Sequence, residues 1–210
     1  MNPATLFKMH RRKRLDDTVF WRYVTQTGFW TERDHDSKTM FIFFPETGNA
    51  LSKQEKLLSY YDWLWNFLVI PLIGVHVGFL VQHLSRLRKM RTMIKAFKPR
   101  KIYAVGYSQG GGNGLISAGW MKRKKYDVEY YSYGAPRTFG LVWTIVLTIL
   151  GLKHCRVVNG SDLVTKVPFL AMGFTHHGRV LRIGKSKVLW STTDHYPDEY
   201  TRNLEKMFPS

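Results

Sequence analysis

One residue of the 210 is a cysteine, Cys155. A lone thiol excludes an intramolecular disulfide framework and a thiolate zinc cluster, and it fits an intracellular or redox-indifferent setting. Acidic residues are also scarce, with 15 Asp+Glu against 32 Lys+Arg, for a net charge of +17. No apolar run reaches the roughly 20 residues that a membrane-spanning helix needs. The two longest are "FLVIPLIGVHVGFLV" (Phe67 to Val81), interrupted by Pro71 and His76, and "FGLVWTIVLTILGL" (Phe139 to Leu152). Both are expected in a buried core, the second having the alternative of dipping into a membrane surface. At the N-terminus, Asp16, Asp17 and Arg22 interrupt the place where a secretory apolar region would stand. The expectation is therefore a cytoplasmic or peripheral membrane protein. Internal repeats and low-complexity linkers are missing too, which removes solenoid and multidomain readings.

What remains is the composition of a globular protein, with 44% hydrophobic and 15% aromatic residues. The length suits one core large enough to hold a catalytic site. The positive charge gathers in "KMHRRKR" (Lys8 to Arg14), "RLRKMRTMIKAFKPRK" (Arg86 to Lys101) and "KRKK" (Lys122 to Lys125). Such a field attracts polyanions, an anionic membrane among them. Nucleic acid ranks last as a partner, because no aromatic platform or reading motif is interleaved with the basic runs.

Strand-like and helix-like segments alternate. Met40 to Phe44 reads as a strand, and Gln82 to Phe97 as an amphipathic helix with a basic outer face and Leu84 on its apolar side. Ile102 to Val105 is a buried strand, and Gly110 to Lys124 a helix. Asp127 to Pro136 and His154 to Asp162 carry two more strands, "RVLRIG" and "KVLW" a hairpin, and Asp198 to Met207 a last helix. The alternation implies an α/β fold with a mostly parallel sheet, and ligand groups at the C-terminal ends of its strands.

Between the strand and helix around residue 106 stands Gly106-Tyr107-Ser108-Gln109-Gly110, which fits Gly-x-Ser-x-Gly. A strand turning sharply into a helix holds its apex side chain above the sheet edge, and small neighbours let the two elements approach. Ser108 is thereby the candidate nucleophile, with the helix N-terminus and the Gln109 N–H beside a developing oxyanion. A serine needs a histidine base oriented by a carboxylate, in the chain order Ser, Asp, His for this arrangement. Asp162, at the end of "CRVVNGSD", is the candidate acid, though "NGSD" also suits a simple turn. His195, in the loop "STTDHYPDEY", is the first candidate base, with Asp194 placed to orient that loop. His176 and His177 are expected to be structural.

These segments, in this order, resemble the class 3 (fungal-type) lipase family of the α/β-hydrolase superfamily, from about Phe41 to the C-terminus. "FPET" resembles its oxyanion turn, "DWLWN" the segment that follows, "VHVGFL" its Val-His-x-Gly-Phe stretch, "YGAPRTFG" its Phe-Gly-x-Pro-Arg-x-Gly turn and "VVNGSDLVTKVPF" its acid loop. Tyr107 and Gln109 replace the family's usual His and Leu around the nucleophile, and Pro45-Glu46 replace Arg-Gly before Thr47. The resemblance implies a serine hydrolase of carboxylic esters, a lipid or phospholipid ester above all. It implies Thr47 opposite Gln109 in the oxyanion hole, and no metal or organic cofactor. Residues 1–40 form a basic N-terminal segment with no counterpart, part of the same unit or an arm, ahead of a hydrolase domain over 41–210. The rival reading is a catalytically inactive hydrolase fold that docks to anionic membrane or nucleic acid.

Overall fold

The computed structural model describes residues 1–12, 20–22, 27–45, 74–185 and 188–209. Thr47, the "DWLWN" segment and residues 67–73 lie outside them.

The hydrophobic alternation of the central strands organises the molecule. In β3 (Thr39–Phe44), Met40, Ile42 and Phe44 enter one core while Phe41 and Phe43 enter the other; in β4 (Lys101–Tyr107), Ile102 and Ala104 are opposed to Val105 and Tyr107. A strand apolar on both faces has to be covered on both faces, which is the usual state of a parallel sheet. Five parallel strands run in the order β3, β4, β5 (Val128–Tyr133), β7 (Lys153–Asn159) and β9 (Arg179–Ile183). Beyond β3, the strands β2 (Thr27–Asp34) and β1 (Phe20–Arg22) complete the sheet as antiparallel neighbours. A separate ribbon pairs β6 (Phe139–Gly140) with β8 (Phe174–Thr175).

Helices α1 (Pro3–Arg11) and α5 (Pro197–Met207) cover one face, and α2 (Val77–Phe97), α3 (Gln109–Arg123) and α4 (Leu141–Ile149) the other. Asn2 caps α1 through its side chain, 2.8 Å from the Ala4 N–H. The helix then buries Leu6 and Phe7 completely against Tyr133 and Tyr200. The N-terminal segment thus shares a core with the rest of the described chain.

Three sequence expectations are corrected. The helix expected from Gln82 begins at Val77, and its buried side differs: Leu84 is 56% exposed, whereas Gln82, His83 and Arg86 are buried. The glycines of α3 let α2 approach closely, and Asn113 and Ser117 on α3 supply the polar partners. Arg86 is thereby lost to the basic outer face, and its burial in a low-dielectric site lowers its pKa to about 9. Secondly, among the described residues "RVLRIG" and Val188 to Trp190 do not form a hairpin. β9 runs parallel to β7, and Ser191 instead bonds the acid loop, its N–H reaching the Ser161 carbonyl at 3.0 Å. Thirdly, the run Phe139 to Leu152 enters the core only in part, through Phe139, Leu147 and Leu152. Its helix, α4, buries only Leu147.

Candidate functional site

The site stands at the C-terminal edge of the parallel strands. β4 ends at Tyr107, and Ser108 turns the chain into α3 with φ of 54°. That left-handed value is strained for a residue with a Cβ. The flanking glycines have distinct tasks. A Cβ on Gly106 would fall 2.4 Å from the Gly110 carbonyl oxygen, and one on Gly110 would fall 2.2 Å from that of Phe44. The first allows the turn, and the second seats the nucleophile helix against the end of β3. From that end the chain runs on to Thr47.

Three candidates from three elements meet here. His195 Nε2 lies 2.8 Å from Ser108 Oγ, and His195 Nδ1 lies 2.8 Å from Asp162 Oδ2. Asp162 follows β7, is fully buried, and also accepts hydrogen bonds from the Val164 N–H at 2.9 Å and from the Tyr200 hydroxyl at 2.7 Å. Such a set fixes the carboxylate in direction. His195 ends a short 3-10 turn, Thr193–His195, just before α5, and its side chain keeps 18% exposure. Asp194 beside it accepts from the Ser161 N–H at 2.8 Å, which ties the histidine loop to the acid loop. Gln109 is the first residue of α3, at the positive end of the helix dipole.

His176 and His177 lie elsewhere. His176 Nε2 donates to the Thr165 carbonyl at 2.7 Å, and burial lowers its pKa to about 3. His177 pairs with His154.

The sequence reading missed three contributors. Gly134 has φ of 57° and passes so close to the relay that a Cβ would lie 2.9 Å from His195 Cε1 and 3.0 Å from Asp162 Oδ2. Its signal was visible in "YGAP". Tyr107 stacks on His195 with centroids 5.3 Å apart, and its hydroxyl donates to the His195 carbonyl. Tyr200 left no signal, because a tyrosine on an amphipathic helix reads as core. Among the described residues no group of three or more metal-ligating side chains is gathered.

Comparison with known proteins agrees with this architecture. Residues 47–172 match the family model for lipase (class 3). A secreted mono- and diacylglycerol lipase of Fusarium solani is 25% identical over 126 residues, covering 55% of this chain and 38% of that protein. A lipase of Rhizomucor miehei is 25% identical over 171 residues, 74% of this chain and 44% of that one. The matched stretches thus span less than half the length of either relative. Among solved structures, lipase II from Rhizopus niveus superposes with a TM-score of 0.67 at 19% identity, covering 86% of this chain and 79% of the other. With the family model matched over more than half of its length and the fold shared, the chain belongs to the class 3 lipase family of α/β-hydrolases.

Proposed function

We propose that this protein hydrolyses carboxylic esters of lipids through Ser108, His195 and Asp162. The observation that carries the reading is the continuous relay from Ser108 Oγ through both ring nitrogens of His195 to a buried carboxylate. Ser108 Oγ attacks the acyl carbon while its proton passes to His195 Nε2. Asp162 accepts from Nδ1–H and stabilises the imidazolium. The carbonyl electron pair moves onto oxygen, where the Gln109 N–H and the Thr47 hydroxyl receive it. Collapse of this intermediate breaks the ester C–O bond, and His195 returns the proton to the departing alcohol. A water molecule, deprotonated by the same histidine, then attacks the acyl-enzyme and releases the carboxylic acid. This sequence calls for no metal or organic cofactor.

The substrate class, an acylglycerol or phospholipid, is supported by family membership and by the acylglycerol lipase among the relatives. The inactive-fold reading rested on the replacements at 107 and 109 and on the altered oxyanion turn at Pro45-Glu46. Tyr107 argues against it, since its ring and hydroxyl brace the histidine. Fluorophosphonate labelling and a panel of nitrophenyl and glycerolipid esters test the proposal. Labelling that Ser108→Ala abolishes, together with ester turnover, is expected; a wild-type protein that neither labels nor turns over any ester overturns it.

A further inference from the structure

Helix α4, of sequence LVWTIVLTI, carries no charged residue and leaves most of its apolar side chains in solvent. Leu141 is 60%, Val142 72% and Ile149 79% exposed, with Trp143 and Ile145 also exposed. Contiguous apolar surface of this kind marks an interaction site. The patch continues past the helix. β6 leads directly into α4 and pairs with β8, the Thr144 and Thr175 hydroxyls meet at 2.8 Å, and just before β8 lie the exposed Phe169, Leu170 and Met172.

Charge selects the occupant. Leu147 holds α4 to α3 at Gly119, where a Cβ would lie 2.7 Å from the leucine. Less than one turn further along α3 begins the run Lys122 to Lys125, of which Arg123, Lys124 and Lys125 are exposed. On the other side of α3, α2 presents Arg88, Lys89, Arg91 and Lys95 to solvent. None of the three helices contains an aspartate or glutamate. An apolar helix beside basic helices that carry no acidic residue is the combination that an anionic bilayer accepts. A second copy of this chain would bring like charges together, and a nucleic acid would leave α4 uncovered.

We propose that this flank, formed by α4 with the basic residues of α3 and α2, is a docking surface for an anionic lipid bilayer. Helix α4 lies in the interfacial plane with Trp143 at the headgroup level, and the lysines and arginines meet lipid phosphates. Occupancy of this surface is read without turnover, and none of the residues substituted in its test belongs to the Ser108, His195 and Asp162 relay. Docking therefore stands or falls separately from the proposed hydrolysis.

The test is sedimentation with phosphatidylcholine vesicles with and without phosphatidylserine, over a range of salt. Binding to the anionic vesicles is expected, weakening as salt rises. The double variant V142E/I149E should lose partitioning by about tenfold or more. It should keep the wild-type unfolding temperature and turnover of a soluble short-chain ester. Glutamate at all four of Lys122, Arg123, Lys124 and Lys125 should abolish the preference for anionic vesicles. Wild-type binding by the well-folded double variant, equal binding to both vesicle types at low salt, or a solution dimer that V142E disperses would each overturn the proposal.

Discussion

Among the described residues, Ser108 and Ser132 each bond a histidine whose far nitrogen meets a third side chain, and only the first of these relays has the form of an active site. In the first, Ser108 Oγ and His195 Nε2 are 2.8 Å apart, with Asp162 at the far nitrogen. In the second, Ser132 Oγ and His154 Nε2 are also 2.8 Å apart, with His177 Nδ1 3.3 Å from the far nitrogen. The matching distances show that hydrogen-bond length does not identify a nucleophile. Ser108 sits on a strained apex at the sheet edge, beside a helix N-terminus; Ser132 is wholly buried within a strand. The third members differ more. A carboxylate stabilises the imidazolium that forms when the serine proton transfers, whereas a neighbouring imidazole opposes it. Burial above all, with the imidazole of His177 beside it, holds the pKa of His154 well below its ordinary value, so the inner histidine stays neutral.

Removing each serine is the strongest way to break this comparison. Ser108→Ala should lower ester turnover by about 10⁴-fold or more, as loss of one member of a triad does, with little change in unfolding temperature. Ser132→Ala should leave turnover intact and cost stability, about 1–3 kcal/mol for a buried partner left unsatisfied. Initial rates and thermal unfolding of both purified variants check this, and a reversed pattern would place the chemistry at the inner relay.

The acids come next. Asp162→Asn keeps the shape but offers His195 a neutral partner able to present the wrong group, and turnover should fall by roughly 10³ to 10⁴-fold. Tyr200→Phe removes a hydroxyl that donates to Asp162 Oδ2 and accepts from the Asn159 N–H at 3.2 Å. Its loss should cost about tenfold in kcat with KM little changed, since a hydrogen bond to a charged group is worth about that much. An equal loss from both substitutions would mean that the tyrosine, rather than the charge of Asp162, orients the histidine.

The outer relay was legible in the sequence because each member stands at a strand end or a turn whose glycines and apolar runs announce it. Ser108 lies between Gly106 and Gly110, Asp162 follows the run into Asn159, and His195 precedes a helix opened by Pro197. The sheet was legible for the same reason, since period-two burial in "MFIFF" and the strand before Ser108 is a local property. The inner relay was not legible. Ser132 and His154 sit inside strands β5 and β7, and their meeting depends on a register that no local pattern specifies: Tyr130 opposite His154, Ser132 opposite Arg156. The buried face of α2 was misread likewise. Leu84 and Arg86 exchange their expected environments because α3 offers close approach and polar partners, and neither is written in the sequence of α2.

The smallest expected effect concerns acid, and it sharpens the contrast between the two histidines. His154 and His83 are buried and neutral in the folded protein, His83 with a pKa lowered to about 3 by burial and the nearby Arg86. In the unfolded chain both titrate near the ordinary histidine value of about 6.5. Below that pH the unfolded state binds protons that the folded state refuses, so the stability these groups contribute is full above about pH 6.5 and is lost as pH falls. Each histidine should add up to about 1.4 kcal/mol per pH unit to the slope, continuing toward the folded-state value. His154→Gln retains a side chain able to bond Ser132 but cannot bind the proton. Denaturant unfolding between pH 7 and 5 should therefore give a shallower loss of stability for this variant than for the wild type. Parallel slopes would show that His154 charges within the folded protein and overturn the contrast drawn here from its burial.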